Sequence, residues 1–174
     1  MNRMKIRMGI FGALALAGTA LGSVNVDSAA NYAGGWTNGA NGGGGFGAWS
    51  FAADSGAGWA GCGIWDSAAA SLNLGQAFGF VAKGAGAIVT MDRPFAAALA
   101  AGDTFKLDLG LNYDSGSGGN KGFSLRTADN REIVVVNQGA SEVVTVNGAA
   151  AFTNYGVNTM YWTFTQVSAT QVTV

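Results

Sequence analysis

Side-chain chemistry needs a nucleophile with its base, a pair of acids, a metal-ligand set or an aromatic platform. This sequence is poor in the first. It has no histidine and one cysteine, Cys62. Ser-His-Asp and Cys-His pairs are excluded, and with them every histidine metal site. One cysteine makes neither an intrachain disulfide nor a zinc cluster, and Cys62, in Trp59-Ala-Gly-Cys-Gly-Ile-Trp65, reads as a small buried hydrophobe. Ten acids remain. Glycoside hydrolysis needs two of them roughly 5–10 Å apart, one with a raised pKa. Asp103, Asp108, Glu132 and Glu142 lie on or beside expected strands, but no Glu-x-Asp-x-x-Glu spacing gathers acids on one strand face. They read as solvated strand and turn acids, so a secreted glycosidase ranks third among the functions considered.

A metal reading is weak. Asp114-Ser-Gly-Ser-Gly-Gly-Asn120 offers oxygen ligands for calcium at Asp114 and Asn120. Calcium usually takes two or more carboxylates. Here Asp114 is the loop's one acid and Lys121 adjoins it, so a plain hairpin loop is the simpler reading. No other cofactor is implied. Gly42–Gly45 neither follows a strand nor precedes Lys-Ser/Thr, which removes a phosphate loop.

Aromatic residues are the richest resource. Trp36, Trp49, Trp59 and Trp65 crowd together with Tyr32 nearby, and Tyr155, Tyr161 and Trp162 follow late in the chain. Sugars stack on such rings and hydrogen-bond to neighbouring Asn. Tyr32, Trp36, Asn38, Asn41 and Trp49 are therefore the candidate ligand-binding set, with extracellular polysaccharide as the partner. The plainer use of each tryptophan is packing, because the indole buries a large area. Trp36, in the most open glycine-rich stretch, is the one expected to be exposed.

These residues need elements to hold them, and the first segment is an address rather than an element. Arg3, Lys5 and Arg7 precede an apolar run over residues 9–17, and Ala20-Leu21-Gly22 supplies small residues. That is the three-part pattern of a signal peptide covering 1–22. The run is too short for a bilayer span, which needs about 20 apolar residues. No cysteine follows it, so a lipoprotein is not indicated. Cleavage would remove three of the nine basic residues and none of the ten acids, taking the net charge from −1 to −4. That balance argues against nucleic acid and against anionic membranes. The expected location is extracellular, cell-surface or periplasmic, with no membrane insertion after cleavage.

Residues 23–45 form a Gly/Asn-rich segment punctuated by aromatics, with turn signals at Asn38-Gly39 and Asn41-Gly42. Residues 46–174 form one domain. Its apolar period is mostly two, at 46–51, 58–65, 76–82, 86–91, 104–109, 122–126, 131–136, 142–146, 161–165 and 168–174. Phe105, Leu107 and Leu109 face inward there, with Lys106 and Asp108 outward. Asn147-Gly148 is a tight-turn signal. Pro94 through Ala101 is the best helical stretch, ending at Gly102. The total is nine or ten short strands, the pattern of an all-β antiparallel two-sheet sandwich of jelly-roll or lectin-like character. The last strand runs into Val174, which reads as the edge of a truncated chain, the preferred reading, or as a terminal strand paired internally.

The stretch Asn31-Tyr-Ala-Gly-Gly-Trp-Thr-Asn-Gly-Ala-Asn-Gly-Gly-Gly-Gly-Phe-Gly-Ala-Trp49, with Gly102-Asp-Thr-Phe105 later, resembles a family of exported Gly-rich β-sandwich surface proteins of environmental Gram-negative bacteria. Many of these carry a PEP-CTERM-type sorting signal, which this sequence lacks. The resemblance implies a non-enzymatic surface protein and assigns no catalytic residue. The expected function is a non-catalytic cell-surface or extracellular matrix protein, with a carbohydrate-binding module as the alternative.

Overall fold

In the computed structural model, residues 5–9, 25–70, 73–110, 119–138, 143–153 and 159–174 are described, the first of these as backbone only. The chain is all-β. Its strands are β1 (Lys5–Gly9), β2 (Ser50–Asp54), β3 (Trp59–Asp66), β4 (Gln76–Lys83), β5 (Ile88–Asp92), β6 (Thr104–Gly110), β7 (Lys121–Arg126), β8 (Glu132–Gln138), β9 (Val143–Val146), β10 (Ala149–Thr153), β11 (Thr159–Ser168) and β12 (Gln171–Thr173). Two short 3₁₀ turns, Ala29–Tyr32 and Ser67–Ala70, are the helical pieces among the described residues.

The strands form three open sheets. Seven strands run in the order β10-β9-β8-β7-β1-β5-β2, three in the order β12-β11-β6, and β3 pairs with β4 alone. Every pairing is antiparallel except those of β1, which lies parallel to both β5 and β7. Period-two sequence explains the rest. On β6, Phe105 and Leu109 are buried while Lys106 and Asp108 are exposed. On β11, Met160, Trp162, Phe164 and Gln166 are buried in strict alternation.

Those buried faces meet in two clusters. Phe105 and Leu109 of β6 and Met160, Trp162 and Phe164 of β11 pack with Phe123 and Leu125 of β7, Val134 and Val136 of β8, and Val144 of β9. Val89 and Met91 of β5 pack with Tyr32, Trp36 and Trp49, and the inward side of the β3–β4 hairpin (Ala60, Cys62, Ile64, Phe78, Phe80, Ala82) closes over them. Phe80 touches both clusters. Met91 and Phe123 sit at the same level of β1, so both clusters use one face of the large sheet.

Several local expectations need correction. Pro94 through Ala101 is not helical; Phe95 instead bridges to Phe46 and is buried against Phe105. Burying one phenyl ring outweighs the small preference of a two-turn alanine helix. Residues 47–49 carry no strand, because strand pairing of β2 begins at Ser50. Asn41-Gly42 is not a turn, whereas Asn38-Gly39 is, with Gly39 at φ 87°. The strand Ala149–Thr153 was not expected. Asn147 and Gly148, at φ 49° and 83°, make the two-residue turn that folds it back on β9.

Candidate functional site

The candidate ligand-binding set turns out to be the interior of a lock. Arg93 follows β5 and is 1% exposed. Its Nε donates to Gly47 O (3.0 Å), its Nη1 to Tyr32 Oη (2.8 Å) and its Nη2 to Asn41 Oδ1 (2.9 Å). The same Nη1 pairs with the carboxylate of Asp27. The guanidinium also lies 4.9 Å from the ring centre of Phe46 and 5.1 Å from that of Trp49. An arginine fork suits this role, since five donors in fixed geometry can reach several chain segments at once. Burial pulls its pKa down to about 10, so it stays cationic at neutral pH.

Tyr32 is saturated. Its hydroxyl donates to Asp27 Oδ2 (3.0 Å) and accepts from Trp49 Nε1 (3.0 Å) and from Arg93. One donor and two lone pairs are thereby all used. Asp27 takes a further bond from Asn31 Nδ2 (3.2 Å). Residues 25–31 can lie this close to residues 42–45 because the latter are glycines. A Cβ at Gly42 would meet the Asn31 carbonyl, and one at Gly43 or Gly45 would strike Asp27 or Asn25. The glycine run is a bed for the preceding segment.

The expectation of an exposed Trp36 is overturned. It is 7% exposed, with its ring 5.2 Å from Trp49, 4.7 Å from Phe51 and 4.5 Å from Phe78. Tyr32 and Trp49 are also buried. Asn38 is exposed, but its Oδ1 accepts from the Phe51 amide (2.9 Å), and Asn41 serves Arg93. Tyr32, Trp36 and Trp49 are thus packed together as a core with no open aromatic face, while Asn38 and Asn41 are exposed at its edge and hydrogen-bonded to Phe51 and Arg93.

The other candidates are scattered. Asn120 is half-buried just before β7, and Asp114 lies outside the described residues, as does Glu142. Among the described residues no three acids or cysteines gather as a metal set. Asp103 Oδ2 accepts from the Ala100 amide, and Glu132 pairs with Arg126 at 2.5 Å. Asp108 is exposed on β6. Cys62 is half-buried on the inward side of β3, and burial pushes its thiol pKa up. Among the described residues no helix is long and apolar enough to cross a membrane.

Sequence reasoning missed Arg93 and Asp27. A single arginine between Val89-Thr-Met91 and Pro94-Phe95, in a chain with few basic residues, was the available signal. It also missed the two tryptophans that are exposed, Trp59 and Trp65. Their spacing was the signal: Trp59, Gly61, Gly63 and Trp65 alternate on one face of a strand. Compared with protein-family models, curated proteins and solved structures, the chain matches none.

Proposed function

We propose that this chain is a non-catalytic, exported cell-surface or extracellular matrix protein, built as a two-sheet sandwich and belonging to the Gly-rich surface family that it resembles. One observation carries this reading. The side chains of Tyr32, Asn41 and Trp49 spend their polar groups on one another, on Asp27 and on Arg93, so these residues of the aromatic stretch build architecture. The leader-like residues 1–22 and the mildly acidic remainder support an exported setting. The test is fractionation of a Gram-negative host expressing the full chain, with N-terminal sequencing. Protein outside the cytoplasm that starts at Ser23 supports the reading, and intact Met1 in the cytoplasm overturns it.

A second, lectin-like reading is favoured by a different observation, the exposure of Trp59 and Trp65 on the outer side of the β3–β4 hairpin.

A further inference from the structure

The β3–β4 hairpin has two unlike faces. Inward-facing Ala60, Cys62, Ile64, Phe78, Phe80 and Ala82 pack on the core. The outward residues are therefore Trp59, Gly61, Gly63 and Trp65 on β3, opposite Lys83, Val81, Gly79 and Ala77 on β4. Trp59 and Trp65 are 52% and 41% exposed.

The glycines form a floor beneath the two rings. A Cβ at Gly63 would lie 2.9 Å from Trp65 Nε1, and one at the paired Gly79 would strike the opposite edge of the same indole. Trp65 thus lies flat across both strands, with its other face outward. A Cβ at Gly61 would lie 3.0 Å from Trp59 Cζ2, so Trp59 reaches toward Trp65 from the other end. Gly61 and Gly63 are about 7 Å apart along the strand. The result is a low aromatic strip with its indoles laid toward each other.

We infer that this strip binds an extended, uncharged polysaccharide, whose pyranose rings stack their C–H faces on Trp59 and Trp65. The inference rests on the lectin-like reading and names its site and ligand class. Three features select this occupant. First, an indole face is electron-rich and attracts the weakly positive C–H hydrogens of a sugar face. Second, Lys83 is the single charge on the strip, and a chain with an acidic balance gives no attraction for an acidic polymer. Third, the footprint is narrow. Eight residues by two strands span about 25 Å by about 10 Å, or about 250 Å². A stable protein pair needs about 800 Å² on each side. A second copy of the chain is poorly served by such a strip, while a single glycan chain fits along it.

The test is retention of the purified full chain on microcrystalline cellulose, chitin and carboxymethyl cellulose. The variants are Trp59→Ala/Trp65→Ala and Gly79→Val, each checked for an unchanged melting temperature and for monomer size. The wild type is expected to be held by at least one uncharged polymer and weakly by the anionic one. The double variant should be held about tenfold less or worse. Gly79→Val keeps both tryptophans but lifts the Trp65 ring, and should lose a similar amount. If Gly79→Val unfolds the chain, Gly63→Ala poses the same question more gently. Wild-type retention that survives the double variant overturns this site while leaving a lectin function standing. No retention on any uncharged polymer overturns both. A size change that tracks the two tryptophans replaces the glycan with a second copy and also overturns the proposal.

Discussion

Arg93 Nη1 stands 2.8 Å from Tyr32 Oη, across 61 residues of sequence. This contact ties the end of β5 to the 3₁₀ turn that opens the Gly/Asn-rich segment. It is surrounded by groups that depend on it, since Asp27, Asn41, Gly47 and Trp49 all bond to one member of the pair.

Removing Arg93 should therefore be severe. Arg93→Leu leaves the Asp27 carboxylate buried without its cation, at an expected cost of about 3–5 kcal/mol. Asp27→Asn should cost a comparable amount by stranding the guanidinium. Arg93→Lys keeps the charge but not the fork, and should fall between these and the wild type. Denaturant unfolding checks all three. Wild-type stability in Arg93→Leu would show that the lock does not hold the segment.

The hydroxyl alone can be weighed separately. Tyr32→Phe leaves Trp49 Nε1 and one guanidinium N–H without their acceptor, for about 1–3 kcal/mol. Asn38→Ala removes one exposed backbone-to-side-chain bond and should cost about 1 kcal/mol or less. The order of the two melting temperatures is the measurement, and the reverse order would contradict the geometry.

The β9–β10 turn offers a local test. Gly148→Val places a β-branched residue at φ 83° and should cost about 1–2 kcal/mol. Asn147→Ala loses its tolerance for φ 49° and also the Oδ1 acceptor of the Val135 amide (2.8 Å). Thermal melts of the two variants should both fall below the wild type.

Cys62 gives a pH-dependent prediction. Burial raises its pKa above the ordinary 9.0, so the folded chain holds the thiol proton more tightly than the unfolded chain does. The stability from this group is complete below pH 9.0 and is lost as pH climbs through the folded value. The nucleophile is the thiolate. Alkylation at pH 8 should be slow in the native chain and rise to the rate of a free cysteine in urea. Equal rates in both conditions would place the thiol in solvent.

How much of this was legible depends on the range of the contact. Phe105-Lys-Leu-Asp-Leu109 and Asn147-Gly148 carry their structure locally, through side-chain alternation and left-handed turn residues, and both were readable. Arg93, Asp27 and Tyr32 meet through the fold, so neither a period nor a spacing joins them. Trp36 misled because a glycine-rich stretch suggests openness, whereas these glycines are required by close approach. Trp59 and Trp65 were visible as an alternation but not as an outward one, because which hairpin face meets the core is decided by Val89 and Met91 on another strand. β1 was hidden for the same reason, since its partners lie more than 80 residues away.

Lys5–Gly9 is an interior strand of the seven, between β7 and β5, and it also lies within the leader-like residues. A chain that folded before crossing a membrane would bury its own address. On the proposed reading of residues 1–22 as a leader, translocation precedes folding and the peptidase acts while this strand is still free. Cleavage on that reading would leave β5 and β7 with their amides and carbonyls facing each other across a slot one strand wide, about 10 Å between backbones. Such a slot is a socket. A chain so cut would carry it until a strand of its own or of a neighbour plugged in.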